Sequence, residues 1–157
     1  MIFSEPCAKY YAMTFIQALY GSQYYEITQK GRDGNMGRFN GNIFLSAFVV
    51  LIIITITGLT ISFSERAAES FERMVSHIIG YDSAKTTGKL LAIPVMACCY
   101  FIIANTTGSK KNFKKIIDAF NLLPVEEKKK ANKKVLLPFF IVLGLFFGLV
   151  VSASLEN

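Results

Sequence analysis

The stretch IFLSAFVVLIIITITGLTISF, Ile43 to Phe63, carries no charged side chain over a length that matches the apolar interior of a bilayer. At about 1.5 Å rise per helical residue, about 20 apolar residues close a hydrocarbon core about 30 Å thick. Two more charge-free stretches of similar length follow, Leu90 to Ser109 and Val135 to Leu155. The expected fold is all-α: an integral membrane protein with three transmembrane helices, an N-terminal amphipathic interfacial helix, and short amphipathic helices in both connections. The chain has 157 residues, 52% of them hydrophobic, which places it among membrane proteins and leaves room for one domain.

Around the three spans the chain divides into an amphipathic helix over 1–30, a Gly-rich elbow over 31–42, an outer connection over 64–89 and a Lys-rich connection over 110–134. The first apolar run lies too deep to be a cleavable signal, so the N-terminus is expected to be retained. The second span is the weakest, because its strongly apolar part ends at Ala104 and Asn105, Thr106 and Thr107 follow. Lys89 and Lys110 can extend it by snorkelling, and Pro94 falls in its first turns, where a bend costs little. A re-entrant course is the alternative. A full crossing is expected because it also explains the charge pattern.

The net charge of +6 is unevenly spread. Residues 110–134 hold Lys110, Lys111, Lys114, Lys115, Lys128, Lys129, Lys130, Lys133 and Lys134 against Asp118, Glu126 and Glu127. Cationic loops resist translocation, so this segment and the N-terminus are expected in the cytoplasm, with the C-terminus outside a plasma or inner membrane. Of the 17 lysines and arginines, only Arg66, Arg73, Lys85 and Lys89 then fall outside. The same nine lysines are the expected contacts to anionic phospholipid headgroups. Phe113, Ile116, Ile117 and Phe120 share one face of a basic helix suited to such a surface, and Pro124 starts a second helix that continues into the third span. Nucleic acid is not expected as a partner, since no base-reading motif accompanies the lysines.

Ser4 is the expected N-cap of the first helix, with Glu5 and Pro6 in its first turn and Tyr11, Phe15 and Leu19 along one face. That face either lies in the headgroup layer or packs on other helices. Gly31, Gly34, Gly37 and Gly41 with their Asn and Asp neighbours predict turns, and a sharper reading has glycine amides and Arg32 or Arg38 cradling a phosphate. The hydroxyls of Thr55, Thr57, Thr60, Ser62 and Ser64 either bond back to their own helix or cross to a neighbour. Beyond them, Ser62 and Glu65 have capping-box spacing, Ala68, Phe71, Val75 and Ile78 form an apolar line, and Glu69 and Arg73 are placed to pair. Lys85 stands where a phosphate-binding loop needs its second glycine, so Gly80 to Thr86 is not such a loop.

Gly144, Gly148 and Ser152, spaced by four on the third span, form a groove of small residues suited to helix packing. No Asp, Glu, Lys, Arg or His lies within a span, and His77 and the cysteines (Cys7, Cys98, Cys99) assemble neither a metal site nor a nucleophile with its base. No enzyme activity and no cofactor are expected. The expected function is a non-catalytic subunit that anchors, assembles or stabilises a larger membrane complex, with other membrane protein subunits or a second copy as partner. The alternative is a homo-oligomeric passive pore, a holin-like lytic protein or a small transporter.

Overall fold

The computed structural model describes residues 13–79 and 84–155, with side chains throughout except at 72, 75, 78, 79, 84–91 and 153. These residues form six helices: α1 (Phe15–Gln29), α2 (Asn35–Phe63), α3 (Glu65–Ile79), α4 (Ala84–Asn105), α5 (Lys110–Asn121) and α6 (Val125–Leu155). Two of them, α2 and α6, are long and apolar enough to cross a membrane. Ala92–Asn105 and Lys110–Asn121 pass the same test only when taken together, with a 66° bend between them. Among the described residues the regular structure is thus all helical, with two or three helices long and apolar enough to span, as in a helical membrane protein.

Helix α1 begins at Phe15, inside the segment predicted as the N-terminal helix. Ser4, Glu5, Pro6, Tyr10 and Tyr11 lie outside the described residues, while Thr14 is extended and caps α1. Its hydroxyl accepts from Gln17 N–H at 3.2 Å, and Gln17 Oε1 accepts from Thr14 N–H at 3.0 Å, a reciprocal box that satisfies two helix-end donors. At the other end Gly31 adopts φ 69°, Gly31 N–H donates to Thr28 O at 3.0 Å and Arg32 N–H to Ile27 O at 3.1 Å. This Schellman geometry favours glycine at the left-handed position.

The elbow is shorter than expected. A turn through 31–42 is predicted from its glycines, yet α2 begins at Asn35 and runs through Gly37 and Gly41. The reason is close approach. A Cβ on Gly37 would stand 2.9 Å from Tyr24 Cα, and one on Gly41 would stand 2.5 Å from the Tyr20 ring. Glycine costs a helix about 1 kcal/mol relative to alanine, and here it lets α1 fold back against α2. Farther along the pair, the Phe15 and Phe48 rings meet at 5.4 Å.

Contacts between the long helices fix their directions. Phe44 meets Phe139 at 5.3 Å, and Gly58 lies against Leu149, so α2 and α6 run parallel. Phe39 meets Tyr100 at 6.0 Å, and Gly108 closes on Asn42, which sets the end of α4 beside the beginning of α2. Helix α5 then leads back to the start of α6. The buried core sits at this end: Ala18, Leu19 and Tyr20 of α1, Leu45 of α2, Phe113, Ile117 and Phe120 of α5, and Ala131 and Val135 of α6. Beyond it the helices expose Ile53, Ile54, Ile56, Ile93, Phe101, Ile102, Ile141, Phe147 and Val151. Such a surface is far more apolar than water tolerates in a monomer and suits lipid.

Hydroxyls in α2 bond back to their own helix: Ser46 to Asn42 O at 2.7 Å, Thr55 to Leu51 O and Thr60 to Ile56 O at 2.8 Å, and Ser62 to Gly58 O at 3.0 Å. Because Ser62 is still inside α2, Ser64 caps α3 instead, its Oγ accepting from Ala67 N–H at 3.3 Å. The Glu69–Arg73 pair forms at 3.1 Å. Residues 80–83 of the rejected phosphate loop lie outside the described residues. Helix α6 starts after Pro124 and continues unbroken to Leu155, through Pro138, as the sequence predicts.

Candidate functional site

The packed end carries a basic cleft between α1, α2 and α5. Its walls are Tyr24, Asn35, Arg38, Lys110, Phe113, Lys114, Ile117, Asp118 and Asn121, around a volume of about 390 Å³. Each element positions its residues for a local reason. Ser109 caps α5, its Oγ accepting from Asn112 N–H at 3.4 Å, which places Lys110 at the first helical position and Lys114 and Asn121 on following turns. Buried Phe113, Ile117 and Phe120 lock α5 onto α1, where the Tyr20 and Tyr24 rings meet Phe113 edge-on at 5.8 and 6.2 Å. The apolar face expected on a lipid surface is therefore covered by protein, and only the lysine side of α5 is open.

Charge in the cleft is unbalanced. Arg38, Lys110 and Lys114 face one carboxylate, Asp118, and none of the four makes an ion pair among the described residues. Arg38 Nε is shielded from solvent and has no hydrogen-bond partner among the described residues. A buried donor left unpaired costs about 1–3 kcal/mol, more when charged, so such a group asks for a partner. Behind it, fully buried Tyr20 donates to Asn42 Oδ1 at 2.7 Å, satisfying an amide that is only 2% exposed. Burial pushes the Tyr20 hydroxyl up to about 12, against the opposing pull of the Arg38 guanidinium, so it stays a neutral donor at ordinary pH.

The remaining lysines have other settings. Lys129 lies 3.5 Å from Glu126, while Lys130 and Lys134 each lie 3.4 Å from Glu127. Hydrogen bonding from Lys130, with a second bond from Lys134, holds the Glu127 carboxyl below its ordinary value against the effect of burial. Lys128 donates to Asn121 O at 2.9 Å and sits 6.0 Å above the Phe120 ring. Lys111, Lys115 and Lys133 are exposed, with no ion pair among the described residues. The nine lysines thus separate into a cleft pair, three on α6 with acidic neighbours, three open surface positions, and Lys128 held by Asn121 O over the Phe120 ring.

Gly144, Gly148 and Ser152 share an exposed strip of α6. A Cβ on Gly144 or Gly148 would meet nothing within 4 Å, so no described helix of this chain fills the groove. The neighbouring Phe139 turns inward to Phe44 and Phe48, and Phe147 is exposed. Cys98 is exposed and Cys99 half-buried on α4. Among the described residues no three His, Cys, Asp or Glu side chains come together as metal ligands.

The sequence names Arg38 only as part of a glycine-amide cradle. Two of those amides are already used, Gly31 N–H donating to Thr28 O and Gly37 N–H to Gly34 O, each at 3.0 Å. Asn35, Asp118 and Asn121 carry no sequence signal of a site; they share the cleft because α2 and α5 both pack on α1. Comparison with protein-family models, with curated proteins and with solved structures gives no match.

Proposed function

We propose that the chain is a small non-catalytic subunit of a membrane protein complex, crossing the bilayer three times, with the packed end and residues 110–134 in the cytoplasm and Leu155 outside. The parallel course of α2 and α6 supports the third crossing. Both helices start at the packed end, so the chain must return through the same thickness between Phe63 and Val125. Helix α4, with 22 residues, is about 33 Å long and fits that return. The exposed lysines of α5 and α6 at the packed end favour the cytoplasmic face and its anionic headgroups.

The observation that carries the subunit reading is the uncovered strip of Gly144, Gly148 and Ser152. In lipid, helices associate by backbone approach over small residues rather than by hydrophobic exclusion. A spanning helix of another membrane protein is the occupant this groove suits. Extraction in mild detergent is expected to recover the chain with a different membrane protein in fixed ratio, and Gly148→Leu to lose that protein while the chain stays folded. Recovery of the chain as a ring of identical copies, or an unchanged complex in Gly148→Leu, would contradict the reading.

A further inference from the structure

We propose that the cleft between α1, α2 and α5 binds a phosphate group, held by Arg38, Lys110 and Lys114. Three cations against the single carboxylate of Asp118 leave a surplus of positive charge suited to a phosphate dianion. A guanidinium presents donors in a planar fork that matches two oxygens of an oxyanion, and Arg38 lines the cleft with no ion-pair partner among the described residues. Lys110, first residue of α5, adds its charge at the positive end of that helix. Asn121 offers an amide donor for a remaining oxygen, while Asp118 can accept from a hydroxyl on the phosphate's substituent. Tyr24, Phe113 and Ile117 supply an apolar wall, and about 390 Å³ exceeds what a bare phosphate needs. The ligand class is a phosphate ester bearing a hydroxylated group, either the headgroup of an anionic phospholipid or a soluble phosphate compound. This goes beyond a general attraction of lysines to lipid, because it assigns one site with one stoichiometry and does not depend on what covers α6.

The test uses the purified full chain in a neutral detergent, titrated calorimetrically with inorganic phosphate, glycerol 3-phosphate and short-chain phosphatidylglycerol. Saturable binding of at least one of them at one per chain is expected. Lipid alone binding assigns a headgroup, and the soluble compounds alone binding assign a free phosphate ester. Arg38→Gln and Lys114→Gln are each expected to weaken that binding by tenfold or more. Arg66→Gln and Arg73→Gln, exposed on α3 and outside the cleft, should change it less than twofold. Lys114 is exposed, so its variant keeps the core and separates loss of the site from loss of the fold. Absence of saturable binding to all three compounds, or equal losses across the four variants, would overturn the proposal.

Discussion

Phe120→Ala is expected to destabilise the protein by about 3–5 kcal/mol, the usual cost of emptying a buried aromatic site. Phe120 is only 1% exposed and its ring lies on Gly21, where any Cβ would collide with it. The ring therefore joins α5 to α1, and Lys128 of α6 covers it from the other side. Little nearby can collapse into the space, since the α1 backbone at Gly21 is held in a helix packed on α2, α5 and α6. Denaturant unfolding in mild detergent, followed by circular dichroism, reads the loss. Leu122→Ala, two residues on but 87% exposed, should change stability by less than about 0.5 kcal/mol. Equal effects of the two substitutions would mean that α5 is not docked on α1.

Gly37→Leu should separate α1 from α2. The obstruction is backbone: an added Cβ would lie 2.9 Å from Tyr24 Cα and 3.0 Å from Tyr24 N. A flexible side chain could turn away, but a helix backbone must shift as a body. Overpacking of this kind costs about 1–3 kcal/mol, occasionally more, and the contact to main chain favours the upper part of that range. As α1 loosens, Lys30 and Arg32 in the short turn become better trypsin sites, so limited proteolysis there should accelerate along with the drop in stability. A variant as stable and as resistant as the parent would contradict the close approach of the two helices.

These two sites show where sequence reading stops. The charge-free runs identify α2 and α6 because lipid compatibility is a property of composition, legible without any knowledge of neighbours. The continuous helix from Pro124 into the last span is legible for a related reason: proline, acids and lysines follow in the order the helix dipole favours. Gly37 and Gly41 are different. Glycine serves both left-handed turns and close packing, and among the described glycines only Gly31 uses the first. Which of the two applies at Gly37 depends on Tyr24 lying across it, a contact made only after the chain folds back. In the same way Phe113, Ile117 and Phe120 announce a buried face of α5, but their periodicity does not reveal whether lipid or α1 covers it. The cleft is least legible, since Arg38 and Lys110 lie far apart in the sequence and share it only because α2 and α5 both pack on α1.

The proposed topology has α2, α4 and α6 each traversing the bilayer, with the lysine-rich end inside. It is tested most directly by labelling single cysteines with an impermeant maleimide on intact cells, after Cys7, Cys98 and Cys99 have been replaced. Ser76→Cys on α3 and Ser154→Cys near the end of α6 are expected to react before the membrane is opened, and Lys129→Cys only afterwards. Reaction of Lys129→Cys in intact cells, together with protection of Ser76→Cys, would contradict the account.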